Sequence, residues 1–277
     1  MPAEGHRRLR LRFAKLGKVR FTSHRDVARM WERALRRSRL PMAYSQGFAP
    51  HPLVSFGLAL PTGCESLGEY LDVRLDEPVH GETPVAELPG ALSLLLPEGI
   101  DVEAAAFVPE AEGSLQQEVA SCDWVLEVLG VPDEELQERV EQVLSAPTLE
   151  VRRQRKGRQV EDDIRPAIRT LVVTEPGGHL RAELATHPRG VRPADLVAAL
   201  GTGAVPGWAQ RTHQWIERDG ARFETLPLSG LMTAAAAVQH ARRDLPHVRD
   251  RHQPDPGGSI AGGPVSARRA SGDIGEH

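Results

Sequence analysis

Within its first forty residues the chain switches from a period of two to a period of 3.6, and this switch constrains the fold more than any other feature. Leu9, Leu11 and Phe13 alternate with Arg8, Arg10 and Arg12, the pattern of a half-buried strand with one face on a core. Val19 and Phe21 alternate with Arg20 after a Leu16-Gly17-Lys18 turn, which predicts a second strand closing a hairpin with the first. From His24 to about Arg39 the spacing becomes helical. Val27, Met30, Trp31, Ala34 and Leu35 share one arc, and Arg25, Arg29, Arg33, Arg36, Arg37 and Arg39 lie on the opposite one. Ser23 with Asp26 three residues on is a helix-start signal, and Pro41 ends the helix. A strand followed by an amphipathic helix predicts a helix laid on a sheet.

Beyond Pro41, Leu53 to Leu60 reads as a strand, broken by Pro61-Thr62-Gly63. Glu69 to Leu75 alternates again; Glu69 has inward parity and is expected at a solvated strand entrance, the alternative being a partly buried acid that needs a partner such as an N-terminal Arg. Helical spacing runs through Val85, Leu88, Leu92 and Leu95, and Ile100 to Val108 reads as a strand. The predicted class is therefore α+β: a ferredoxin-like N-terminal unit with an antiparallel sheet over residues 1–108, a linker over 109–121, and a second, smaller α+β unit over 122–225. In that second unit, strands are expected at Trp124 to Leu129, Leu149 to Arg153, Thr170 to Thr174 and Leu180 to Ala185. Helices are expected after Pro132 and from Pro193 to Leu200. Residues 226–277 hold few large apolar side chains among Gly, Pro, Arg, Asp and Ser, the composition of a disordered tail.

Charge is distributed unevenly. Residues 1–60 carry 13 Lys or Arg against 3 Asp or Glu, whereas residues 61–150 carry 2 against 21. Such a basic head either attracts an external anion or pairs with the acidic middle of the same chain within one fold. Glu32 is the only acid in the helix after Asp26, so pairing within the helix cannot neutralise its basic arc. Next to the helix stands Ala43-Tyr44-Ser45-Gln46-Gly47-Phe48-Ala49-Pro50-His51-Pro52. Rings interleaved with cations suit unpaired nucleic acid, whose bases stack while its phosphates meet guanidinium groups. The candidate anion-binding set is thus Arg25, Arg29, Arg33, Arg36, Arg37, Tyr44, Gly47, Phe48 and His51. His24 and His51 are the weak candidates for acid–base chemistry. Arg152 to Arg158 forms a basic hairpin tip or loop. Asp163 and Arg165 form a second candidate site, able either to orient a polar ligand or to fix a turn.

No phosphate-binding loop, dinucleotide fingerprint, zinc-protease helix or nucleophile elbow is present in the sequence. The two cysteines, Cys64 and Cys122, form no metal-binding pattern, and no metal site is expected. Two lone cysteines, no signal-like leader and no long apolar run predict a cytoplasmic protein without a membrane span.

Three stretches carry a resemblance: Arg20-Phe21-Thr22-Ser23-His24-Arg25-Asp26, Glu32-Arg33-Ala34-Leu35-Arg36-Arg37, and Tyr44 through Pro52. They resemble the radical SAM-linked (DUF2344) family, whose function is uncharacterised. Leu60-Pro61-Thr62-Gly63, Glu65-Ser66 through Asp72, and Asp163-Ile164-Arg165-Pro166 extend the likeness. The family pattern has Leu where this chain has Arg25 and Glu where it has Gln46. The resemblance implies a radical SAM protein as partner, with S-adenosylmethionine and the iron–sulfur cluster on that partner and no cofactor on this chain. It implies no catalytic residue.

Three functions follow as expectations. The first is an accessory subunit or substrate adaptor for a radical SAM enzyme, binding RNA or another polyanion through the Arg-rich helix and adjacent loop. The second is a stand-alone RNA-processing or nucleotide-modifying enzyme using His24 or His51. The third is a protein-interaction module docking an acidic partner without nucleic acid.

Overall fold

The alternating N-terminal segment forms strand β1 (His6–Lys15), and the basic segment forms helix α1 (His24–Arg37). Then come β2 (Val54–Phe56), β3 (Glu65–Val79), α2 (Leu88–Ser93) and β4 (Ile100–Val108). This strand–helix–strand–strand–helix–strand series is arranged β4-β1-β3-β2, with every neighbour antiparallel. It is a ferredoxin-like unit. These observations come from a computed structural model that describes residues 6–79, 85–109, 113–155, 157–174 and 177–226, all within a unit spanning Met1–Met232. Apart from residue 226, the segment assigned to a tail lies outside the described residues.

Downstream come α3 (Leu115–Glu118), β5 (Val119–Leu129), α4 (Asp133–Ser145), β6 (Glu150–Arg155), β7 (Arg158–Asp163), β8 (Ile168–Thr174), β9 (His179–Ala185), α5 (Pro193–Ala199), β10 (Val205–Arg218) and β11 (Ala221–Glu224). With the β6–β7 hairpin set aside, β5-α4-β8-β9-α5-β10 repeats the first connectivity. Its strands lie in the matching order β10-β5-β9-β8, again antiparallel. Two units of one topology thus share a sheet, although no repeat is evident in the sequence. They join where β3 meets β10 in parallel, and the register there is limited to Glu65–Gln210 and Ser66–Arg211.

Each unit keeps its own apolar cluster. In the first, Val27, Trp31 and Leu35 of α1 cover Leu9, Leu11, Leu71 and Val73. The Trp31 ring stands edge-on to Phe13 with centroids 5.0 Å apart. In the second, Leu136 and Val140 of α4 and Leu196 of α5 cover Trp124, Leu126 and Leu180. Arg211 at the seam touches both Glu69, which shares its sheet face with Leu71 and Val73, and the Trp124 ring. Both helical layers therefore lie on one face of the sheet, flanking a central trough.

Three local expectations are corrected. Gly17–Phe21 is a 3-10 turn, not a second strand. Both edges of β1 are already occupied, by β3 and β4, so no ladder is open to a hairpin partner. The turn is held instead by the buried Lys15 ammonium, which donates to the carbonyls of Arg20 (3.3 Å) and Thr22 (3.2 Å). Second, β1 is not half-exposed: Arg10 is 0% exposed and Arg12 is buried. Arg10 makes a paired contact with Asp72 on β3, at 2.8 and 3.0 Å, which is what makes burial of that charge tolerable. Third, Glu69 is not at a solvated entrance. It is buried against Arg211, with contacts of 3.0 and 2.7 Å. Within 109–121, read as a linker, Leu115–Glu118 forms a helical turn and β5 already begins at Val119.

Candidate anion-binding face

Helix α1 sets the geometry of the basic face. Ser23 stands at its N-cap; its Oγ accepts from the Asp26 amide at 3.2 Å and donates to the Asp26 carboxylate at 2.7 Å. That hydroxyl bond, with Arg29 and Arg25 nearby, holds the Asp26 carboxyl below its ordinary range. Ser23 is thereby tied to Asp26. The apolar arc is fixed on the core through Trp31 and Leu35, so the helix cannot rotate, and Arg25, Arg29, Arg33, Arg36, Arg37 and Arg39 are all left exposed. Among the described residues the carboxylate that pairs with this set is Asp26, 3.3 Å from Arg29. No side chain of the acidic stretch 61–150 forms an ion pair with it among those residues. Arg39, with φ 63°, turns the chain out of the helix.

The ring-bearing loop is attached to the same face. Arg36 donates to the carbonyl of Pro50 at 3.0 Å, and its guanidinium lies 5.6 Å from the Tyr44 ring centre. A bridge between Tyr44 and Pro52 closes the loop, and Ser45 Oγ lies 2.9 Å from His51 Nδ1. Gly47 at the tip has φ 135°, a conformation that favours glycine. Phe48 beside it is fully exposed. The structure thus brings Arg36, Tyr44, Gly47, Phe48 and His51 into one exposed assembly with the helix. A groove of about 570 Å³ also runs along α1, where Arg33, Arg36 and Arg37 face Met30 and Leu94 to Pro97.

The other candidates make their contacts outside that loop. His24 is exposed, with its ring edge-on to Phe56 at 5.1 Å. Asp163 accepts from the amides of Leu149 (2.7 Å) and Arg165 (3.0 Å). The Arg165 guanidinium donates to the carbonyls of Leu144 and Ile168. Both side chains fix the return from α4 to β8. Arg152 pairs with Glu161 across the β6–β7 hairpin at 3.0 Å. Among the described residues no group of three His, Cys, Asp or Glu is placed to hold a metal, and no helix is long and apolar enough to cross a membrane.

Sequence reasoning missed the charges at the seam. Glu65 accepts from the Gly17 amide (2.8 Å), Arg20 (3.2 Å) and the Trp208 indole (2.9 Å), so it ties the turn before α1 to β10. The signal available in the sequence was Glu65 and Glu69 flanking an otherwise apolar strand start.

The family model described as an uncharacterized protein conserved in bacteria (DUF2344) matches residues 8–193. No curated protein matches the chain. Among solved structures, "Crystal Structure of a Cbf5-Nop10-Gar1 Complex" aligns at a TM-score of 0.39 and 13% identity, over 74% of this chain and 48% of that one. "Structure of H/ACA RNP bound to a substrate RNA containing 2'-deoxyuridine" aligns at 0.36 and 13%, over 73% and 47%. This chain spans about half the length of either.

Proposed function

We propose that this chain, which belongs to the DUF2344 family of uncharacterised bacterial proteins, is a polyanion-binding adaptor and that the polyanion is RNA. One observation carries the reading: the guanidinium groups of α1 form an exposed face that no carboxylate of the acidic middle covers among the described residues. Such a face supplies long-range attraction and salt-sensitive affinity through phosphate contacts. The exposed Phe48 and the Tyr44 ring beside Arg36 add stacking surface for unpaired bases.

In the same proposal the adaptor serves a radical SAM enzyme in the cytoplasm, with S-adenosylmethionine and the cluster held by that partner. What supports this half is the motif resemblance. The two cysteines of the chain, both buried and free, are fewer than the about four ligands that a cluster takes. The test is binding of a single-stranded RNA to the full chain across a salt series. Arg33→Glu is expected to weaken binding about tenfold and to reduce the slope of log K against log salt by about one contact. RNA binding that is absent, or indifferent to salt and to Arg33→Glu, overturns the reading.

A second reading has its own observation. Leu94 is 87% exposed in the groove that Arg33, Arg36 and Arg37 line, a mixture that suits an acidic amphipathic protein segment better than a phosphate backbone. If the Arg reversals break a complex with the radical SAM partner while no RNA binds, this reading replaces the first.

A further inference from the structure

The trough between the two helical layers holds a cleft of about 940 Å³, within the size range of small-molecule sites. One wall is the Leu58 to Cys64 segment together with Arg20 and Phe21; the other is Gly190 to Ala194, with Thr186 and Trp208 at the mouth. The floor is Trp124, Cys122, Ala209 and Arg211 on the sheet. None of these residues belongs to the basic face of α1.

The chemistry of the lining is selective. It includes three arginines, and among the described residues lining it none is acidic. Arg211 is held at the floor by Glu69, the Leu58 carbonyl and the Trp124 ring. The other two retain capacity. The Arg20 guanidinium has one nitrogen on Glu65 at 3.2 Å and lies 4.7 Å from the Phe21 ring centre, while its Nε is buried without a hydrogen-bond partner. Arg192 is exposed at the rim and, among the described residues, makes no ion pair. Trp208, which is partly exposed, also lines the cleft, whereas Trp124 on the floor is buried with the Arg211 guanidinium 5.5 Å from its ring centre. The Trp208 indole nitrogen is held by Glu65 and its backbone amide by Glu127, so the ring is fixed in place before anything binds. Burial pushes both lining thiols up, Cys122 to about 11, so they serve as apolar wall rather than as nucleophiles.

We infer that this cleft binds a mononucleotide-class ligand, its flat ring against Trp208 and its phosphate taken by the Arg20 and Arg192 guanidinium groups. The Trp208 ring accepts the base, and planar guanidinium groups accept a phosphate through paired N–H donors. The inference does not rest on RNA binding by α1, because the two surfaces share no residue.

The experiment titrates the full chain with AMP, GMP, CMP and UMP, reading tryptophan fluorescence and heat. Inorganic phosphate and ribose 5-phosphate are the controls. Expected is one-to-one binding of at least one nucleotide, with quenching, weakened about tenfold by Arg192→Glu. Ala194→Trp, an exposed position that narrows the mouth, is expected to weaken it as much. Arg33→Glu on α1 is expected to leave it unchanged. Thermal melts of the variants show that the fold is kept. No nucleotide binding at about 1 mM, binding that Arg192→Glu and Ala194→Trp both leave intact, or ribose 5-phosphate binding as well as any nucleotide each overturn the proposal.

Discussion

At the scale of single residues, the buried ions decide most. Arg211 and Glu69 satisfy one another inside the sheet, and removing one partner leaves the other charged and dry. Glu69→Ala is expected to cost about 3–5 kcal/mol in urea unfolding, whereas Glu69→Leu combined with Arg211→Met should recover most of that loss. His213 makes a different prediction. Burial lowers its pKa in the folded chain; Arg12 and Arg222 push the same way, while Glu224 and Asp123 oppose. The ring is stacked on Trp215 at 5.1 Å and bonded to Thr212. Below about pH 6.5 the unfolded chain therefore takes up a proton that the folded one resists. Stability should fall as pH drops through that range, and His213→Gln should flatten the fall; urea midpoints at pH 7 and pH 5 compare them. These charges were illegible in the sequence for a physical reason. Arg10 and Arg12 alternate as a solvated strand face would, and Glu69 meets its counter-ion 142 residues away in sequence.

Among the elements, α1 was the most legible. Its apolar arc, capping serine and basic arc are each set by the 3.6 spacing, and the helix found, His24–Arg37, matches them closely. Trp31 anchors it; Trp31→Ala should cost about 3–5 kcal/mol through the cavity left behind, and Ser23→Ala about 1 kcal/mol through the lost cap. Circular dichroism followed through urea unfolding measures both. The Val19–Phe21 segment was misread because three alternating residues suit a strand and a tight turn equally, and the deciding contact, the Lys15 ammonium, belongs to the preceding strand. Strand β10 gave no clear signal. It opens with Val205-Pro206-Gly207 and continues through Gln210, Arg211, Thr212, His213 and Gln214, a polar run that resembles a loop until its neighbours on both sides are known. The cleft shared that fate, since its walls come from segments more than a hundred residues apart in sequence.

On the scale of the whole molecule, two units of the same connectivity meet along one parallel junction. The antiparallel ladders within each unit are long, whereas the junction is short in backbone pairs and is reinforced by Glu65, Glu69, Arg211 and the Gln214 amide, which donates to the Gly68 carbonyl at 2.6 Å. Because these ties cross between the two apolar clusters, unfolding should be a single cooperative event. Far-ultraviolet dichroism and tryptophan fluorescence are expected to give coincident urea transitions, and two separated transitions would show the units to be independent. The class α+β was readable from the mixture of periods, but the shared sheet was not, because the pairing of β3 with β10 depends on partners that no local pattern announces.

The make-up of that junction has a thermal consequence. Dehydrating ions becomes less costly as water warms, while the gain from burying hydrocarbon levels off. On heating, the ties in the middle of the sheet should therefore weaken less than the apolar layers on either side, within one cooperative transition.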